Sequence, residues 1–340
     1  MMKQITYRWR EGFMRIGYLL LLFVIATAAL PAAASETPLK KVSLALLWNP
    51  QAQFAGYYVA LDKGIYAKHG MELKILAGGP GHSPVQTLNN GTADFAILWL
   101  TTALQQRAAG IKLVNVAQLV QKSSMMLISR KSSGIKTVAD MNGRKVGLWG
   151  GDLSIPPRAL FARHGIKVLE VPQSHTVNLF LRGGIDVTSA MWYNEYHTIL
   201  NSGVDQEELN VVSLSEQGMN FPEDGIYTLE KILRNNPSLA EAFAAASLEG
   251  WRYAFAHPDE ALDIITKRMR EAQLPSNRIH QKWMLNRMRD LIMPANSPAT
   301  PGLLTEQDYR AVGSALQRGG LIRNYPDYAT FTGRRRAGEK

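Results

Sequence analysis

Apolar residues along the chain gather into short runs punctuated by glycine, and the runs alternate between two kinds. Residues 41–47 (KVSLALL) read as a buried strand, 54–69 as a helix stopped at Gly70, and 71–76 as a short strand before the turn cluster Gly78-Gly79-Pro80-Gly81. Next come a helix over 85–90 capped by Gly91, a strand over 94–99, a helix over 102–109 stopped at Gly110, and a strand over 113–120. This β-α-β-α order predicts a parallel sheet with helices on its faces. The pattern then restarts, with strands over 145–149, 168–171 and 186–191 and helices over 157–164, 177–181 and 193–201. The final third is helical over 239–256, 259–270, 277–291 and 305–317, with start signals at Pro258-Asp259 and Thr305-Glu306. The expectation is an α/β protein of two lobes with a helical C-terminal part packed on them.

The N-terminus follows another rule. Lys3, Arg8, Arg10 and Arg15, with one acid (Glu11), precede an apolar run over 16–30, and Ala32-Ala33-Ala34 follows it. At 15 residues the run falls short of the roughly 20 that a spanning helix needs. It predicts a cleaved export signal over 1–34 and a mature chain from Ser35 in the periplasm. The chain has no cysteine, which removes disulfides, thiolate metal sites, a cysteine nucleophile and a lipid anchor on cysteine. The net charge of +10 becomes +7 without the signal. Part of the excess is Arg334-Arg335-Arg336 and Lys340, read as a basic disordered tail over 333–340 rather than a nucleic-acid contact. No nucleic-acid partner is expected, and the mature chain is expected to be a monomer.

In open parallel sheets ligands sit outside the carboxyl ends of the strands, so the residues just after each strand carry the candidate chemistry. There stand Trp48-Asn49 with Gln53 and Tyr57 beyond them, then Trp99, Trp149-Gly150-Gly151-Asp152, and Trp192-Tyr193-Asn194-Glu195. Four of the seven tryptophans (Trp48, Trp99, Trp149, Trp192) fall at strand ends. Each alone fits core packing equally well, but together they suit the walls of a pocket for a flat, partly polar ring. The expected site is Trp48, Asn49, Gln53, Tyr57, Trp99, Trp149, Tyr193, Asn194 and Glu195. In it Trp48, Trp99 and Trp149 stack on a heterocycle, while Asn49, Asn194 and Glu195 read its edge. Glu195 lies among aromatics, yet it also suits a helix start stabilised by the dipole. Asp152, Glu223 and Asp224 are second-rank candidates, since a carboxylate accepts well from an aminopyrimidine edge.

Catalytic patterns are missing. The glycine turns lack both the phosphate-loop ending and the dinucleotide spacing. The seven histidines are scattered, and Ser154 lies in GDLSIP rather than on a nucleophile elbow. No cofactor, no metal and no enzyme activity are expected.

Several segments carry a family resemblance: NPQAQFAGYYVALDKGIYAKHGMELKI (49–75), NGTADFAIL (90–98), MNGRKVGLWGG (141–151), AMWYNEY (190–196), EDGIYT (223–228) and GWRYAFAHPDEALDII (250–265). Over roughly 41–270 the chain resembles the substrate-binding proteins of ABC importers, in the subgroup related to the thiamine pyrimidine synthase of eukaryotes. That subgroup includes binders of thiamine pyrimidine precursors and of riboflavin, with sulfonate, taurine and nitrate binders further away. The resemblance implies a type II periplasmic-binding-protein fold whose lobes, joined by two crossing segments, close on a small ligand. Lobe one would be 35–125 plus 220–340, and lobe two 126–219. It also implies partners, a membrane permease with a cytoplasmic ATPase.

The related synthase is the alternative, a hydroxymethylpyrimidine phosphate synthase using pyridoxal phosphate, its own histidine and a cysteine-rich run. The resemblance places its lysine at Leu98, its histidine at Thr102, and its cysteines around Met219-Asn220-Phe221-Pro222-Glu223. None of these residues can do that chemistry. A sensor docking on a receptor would need the same cleft. Pyrimidine, flavin, sulfonate and nitrate remain open as ligands.

Overall fold

The computed structural model describes residues 38–294 and 300–334. The export signal expected over 1–34 and most of the basic tail expected over 333–340 lie outside the described residues. Among the described residues no helix is long and apolar enough to cross a membrane.

The strands are β1 (Lys40–Ala45), β2 (Met71–Leu76), β3 (Phe95–Leu98), β4 (Leu113–Gln118), β5 (Met125–Arg130), β6 (Lys145–Leu148), β7 (Leu169–Pro172), β8 (Val187–Met191), β9 (Leu209–Ser213) and β10 (Gly225–Leu229). They form two five-stranded sheets, in the orders β2-β1-β3-β10-β4 and β7-β6-β8-β5-β9. Helices α1 (Ala55–Asp62), α2 (Ile65–Lys68), α3 (Pro84–Asn89) and α4 (Leu100–Ala108) connect the first sheet. Helices α5 (Ile155–His164), α6 (Asn178–Leu181) and α7 (Glu195–Asn201) connect the second. The C-terminal part is α8 (Glu230–Asn235), α9 (Pro237–Ala256), α10 (Pro258–Glu271), α11 (Arg278–Ile292), α12 (Glu306–Arg318) and α13 (Tyr328–Thr332). These are two α/β lobes with a helical end.

The expected parallel sheets are mixed. β1 runs parallel to β2 and β3, but β10 is antiparallel to both its neighbours. In the second sheet β5 is likewise antiparallel to β8 and β9. The cause is the chain's route: β5 and β10 are the first strands after each crossing between lobes. They enter their sheets from the cleft side, against the direction of strands that end there. The helix expected over 54–69 is also divided, because Gly64 adopts φ 65° between α1 and α2, a left-handed conformation that glycine takes without strain. The four long C-terminal helices start and stop within two residues of expectation. Asn236, Asn277 and Thr305 cap α9, α11 and α12 by accepting from Leu239 N, His280 N and Asp308 N.

The crossing segments, 119–124 and 219–224, run side by side and are laced together. Glu223 N donates to Val120 O at 3.1 Å and Val120 N to Asp224 O at 3.1 Å. Asn220 uses both ends of its amide, donating to Gln121 O at 3.0 Å and accepting from Ser123 N at 2.9 Å.

The first sheet is covered by α9. Phe243 stacks on Phe95 at a centroid distance of 4.0 Å and on Tyr66 at 5.3 Å. Helices α9 and α1 cross at two glycines. A Cβ on Gly250 would stand 2.3 Å from Gly56 O, and one on Gly56 would stand 2.3 Å from the Trp251 ring. The contact at Gly250 is with backbone, which cannot swing aside. Gly250→Ala is therefore expected to destabilise the chain by at least about 1–3 kcal/mol, read as a lower midpoint in urea denaturation.

Candidate functional site

The second crossing segment ends in two consecutive buried carboxylates, and the expected site residues divide according to how they meet them. Asp224 Oδ2 accepts from Gln53 Nε2 at 2.8 Å and its Oδ1 from Trp99 Nε1 at 3.1 Å. Gln53 follows β1 on a short 3-10 turn at Ala52–Phe54, and Trp99 sits between β3 and α4, so Asp224 ties together two strand ends of the first lobe. Glu223 faces the other way. Its Oε1 accepts from Ser124 N at 2.7 Å and Ser123 Oγ at 3.1 Å, and its Oε2 from Ser124 Oγ at 2.7 Å.

From the second lobe, Tyr193 is buried with its phenol in the field of these acids. Burial pushes its pKa well up, and the charges of Asp224, Glu223 and Glu195 push it further. Glu195 opens α7. Its Oε2 accepts from Met191 N at 3.0 Å and its Oε1 from Asn194 Nδ2 at 2.7 Å. Asn194 Oδ1 is then free to accept from His280 Nε2 at 2.9 Å. Glu195 thus serves its helix start and also stands in the acidic cluster around Tyr193.

Burial raises all three acids: Glu195 to about 7, Glu223 to about 8 and Asp224 to about 6. No lysine or arginine contributes to any of these shifts. Hydrogen bonds alone hold the carboxylates, and they offset only part of the desolvation.

The other four expected residues lie differently. Trp48 is half-buried and meets His175 of the second lobe edge-on at 6.0 Å. Trp149 Nε1 donates to Ser174 O at 3.1 Å, so both indoles converge on the loop after β7. Asn49 lies against the glycine turn, where a Cβ on Gly79 would come within 2.6 Å of its Oδ1. Tyr57 is set into the α1–α9 packing, its ring edge-on to Trp251 at 5.9 Å. Its hydroxyl and Trp251 Nε1 are both buried without a partner in hydrogen-bond geometry. A cavity of about 900 Å³ between α4, α5 and α12 is lined by residues such as Gln105, Ile155, Met219 and Ala315, and by none of the nine. Sequence reasoning missed Ser123, Ser124 and His280. The serines lie in a polar stretch between strands, and His280 lies 86 residues beyond Asn194 with no pattern linking the two. Among the described residues no cluster of acids and histidines suits a metal ion.

Comparison with known proteins places this geometry among relatives. The model of the NMT1/THI5-like family matches residues 51–261. The riboflavin-binding protein RibY of Chloroflexus aurantiacus is 29% identical over 73% of this chain and 72% of its own. The formylaminopyrimidine-binding protein of Halalkalibacterium halodurans is 22% identical over 78% and 82%. A 4-amino-5-hydroxymethyl-2-methylpyrimidine phosphate synthase of Legionella pneumophila is 23% identical over 69% and 76%. In fold, the chain is similar to the periplasmic aliphatic sulphonate binding protein SsuA of Escherichia coli, with a TM-score of 0.66 and 16% identity over 87% of this chain and 97% of that one. The architecture is therefore the periplasmic-binding-protein fold.

The raised acids fix a pH dependence. Between the ordinary carboxylate range and about 8, the folded chain holds protons that the unfolded chain has released, so stability is lost as pH rises through that window. His197 and His280 are lowered by burial, His280 to about 4. Below the ordinary histidine value of 6.5 the unfolded chain therefore takes up protons that the folded one refuses. Below 6.5 the two trends overlap and oppose each other, and above it only the loss from the acids remains. Thermal melts are expected to fall by a few degrees between about pH 6.5 and 8, and Glu223→Gln is expected to flatten that fall.

Proposed function

The chain belongs to the NMT1/THI5-like family, and from that premise we propose that it is an exported solute-binding protein of an ABC importer. It captures a small aromatic heterocycle by closure of its lobes and delivers it to a membrane permease driven by a cytoplasmic ATPase. In this reading residues 1–34 are a cleaved signal and the mature monomer works in the periplasm. The lobes are 35–125 plus 220–340 and 126–219, hinged at the crossing segments.

One observation carries the ligand class: Glu195, Glu223 and Asp224 are buried around one phenol with no cation drawn to them. A sulfonate or nitrate would find no cation there and would be repelled by whichever of the acids is ionised. An amino-substituted pyrimidine suits it, because its exocyclic amine donates and its ring nitrogen gains a proton beside a carboxylate. A thiamine pyrimidine precursor is the first candidate, with Trp99 and Tyr193 supplying aromatic faces and Asn194 and Glu195 reading the edge. Riboflavin is the second, supported by the name of the relative at 29% identity. The synthase reading is opposed by the residues themselves: Leu98 cannot form an imine, Thr102 carries no imidazole, and the chain has no cysteine.

The test is a thermal-shift and calorimetric screen of residues 35–340 with hydroxymethyl- and formylaminomethyl-pyrimidines, thiamine, riboflavin, taurine, alkanesulfonates, nitrate and pyridoxal phosphate. A ligand at a hundred times its Kd adds about 2.7 kcal/mol, so a binder raises the melting temperature by several degrees. Glu195→Gln is expected to weaken binding by about 1.5–3 kcal/mol. A response to sulfonates or nitrate alone would refute the reading of the acids, and a response to pyridoxal phosphate alone would favour the enzyme.

A further inference from the structure

Helix α11 packs on the helical part of the first lobe, yet its first turns touch both sides of the cleft. On the first lobe, Gln281 Oε1 accepts from Ala52 N at 2.7 Å and Met284 Sδ from Gln53 N at 3.2 Å. On the second lobe, His280 Nε2 meets Asn194 Oδ1 at 2.9 Å and Trp283 Nε1 donates to Trp192 O at 3.0 Å. His197, from α7, stacks on Trp283 at 4.6 Å with the rings 6° apart and lies 5.2 Å from the His280 ring. The guanidinium of Arg287 stands over Trp192 at 4.6 Å and Trp283 at 4.9 Å. Residues 280, 283 and 287 form one stripe of the helix and 281 and 284 the adjacent one. A single helix thereby grips two lobes with neighbouring faces.

The polar end of this grip leads into the ligand site. Asn194 gives its amide N–H to Glu195, so its oxygen faces His280, whose Nε2 carries the proton. His280 Nδ1 is then the acceptor for His197 Nδ1, 2.9 Å away. An ordered line runs from His197 through His280 and Asn194 to Glu195. We propose that α11 is a clasp between the lobes and that His280 is a positioning residue for the ligand site, holding Glu195 through Asn194 and the second lobe through His197.

The charged groups around the clasp agree with this. Arg287 stands over the tryptophans, and Arg278 at the start of α11 is held by Asp259 and Asp263 of α10. Asn201 Nδ2 lies 3.2 Å from His197 Nδ1, so a His197 that donates from Nδ1 requires the Asn201 amide turned to present its oxygen there. Burial lowers both histidines, and the charge of His197 lowers His280 further. Two imidazolium rings would set N–H against N–H across the 2.9 Å contact. The three acids of the site respond to pH in the opposite direction, so substitution isolates the clasp where a pH scan alone does not.

Two readouts test it, and only the second rests on the proposed ligand class. The chain has no cysteine, so Lys68→Cys in the first lobe and Arg182→Cys in the second, both exposed, accept spin labels uniquely. Pulsed-EPR distances in the ligand-free protein are expected to lengthen and broaden when His280→Ala and Trp283→Ala are added together. An unchanged distribution would overturn the clasp. For positioning, His280→Gln keeps an N–H where Nε2 stands and should rescue affinity for formylaminopyrimidine or riboflavin to within about threefold. His280→Asn reaches only as far as Nδ1 and should lose at least about tenfold. Equal affinities in the two variants would overturn the positioning role. Failure of both probes to bind the unsubstituted protein would refute the proposed ligand class, while the distance measurement still decides the clasp.

Discussion

Along the second crossing segment, Glu223 and Asp224 are neighbours in sequence and face opposite sides in space, as successive residues of an extended chain do. Glu223 collects the backbone and side chains of Ser123 and Ser124, where the chain enters the second lobe. Asp224 collects Gln53 and Trp99 of the first. Burying a carboxylate without such donors is prohibitive, so both sets must be met together. A slip of one residue would exchange the faces and strand both acids. The position of β10 follows, since it begins at the next residue, Gly225. A Cβ there would press within 2.8 Å of Gln118 Oε1, and Gln118 in turn donates to Glu223 O.

The same pair belongs to the acidic cluster proposed above as the ligand site. Among the described residues several acids nearer the surface sit beside arginine or lysine, as Glu170 does with Arg158. Glu195, Glu223 and Asp224 have only neutral donors, and their raised pKa values measure an electrostatic demand left unmet. A ligand that brings N–H groups or positive charge meets that demand, and a second anion deepens it. In the proposed reading, recognition and the crossing between the lobes share the same atoms, which would tie affinity to the geometry of the crossing.

Local signals made much of this legible. Start signals at Pro258-Asp259 and Thr305-Glu306 announced α10 and α12, glycine stops announced the early helices, and the α/β alternation announced most strands. β5, β9 and β10 escaped. β10 (GIYTL) is buried at every position, so it shows no alternation, and β5 follows the polar stretch QKSS. Their antiparallel direction depends on where the chain re-enters each lobe, which no local window contains. Reading the strand ends reached Gln53, Trp99, Tyr193, Asn194 and Glu195, all of which stand on or near the acids. It could not foresee that Tyr57 packs on Trp251 or that Trp149 turns to Ser174. It could not foresee His280 either, which arrives from a helix whose sequence shows only ordinary amphipathic spacing.

The interleaving of the sheets also orders their assembly in time. All strands of the second sheet come from one stretch between Met125 and Ser213, so that sheet can complete as soon as the stretch is available. In the first sheet β3 and β4 do not touch, because β10 lies between them. Until β10 arrives, β3 offers an open edge and β4 has no partner, the condition in which strands recruit foreign chains. Nucleation therefore favours the middle of the chain, and long-range pairing delays the lobe that holds both ends. A chain interrupted before β10 would hold a finished second sheet beside a divided first one, with its danger of aggregation concentrated on β3 and β4.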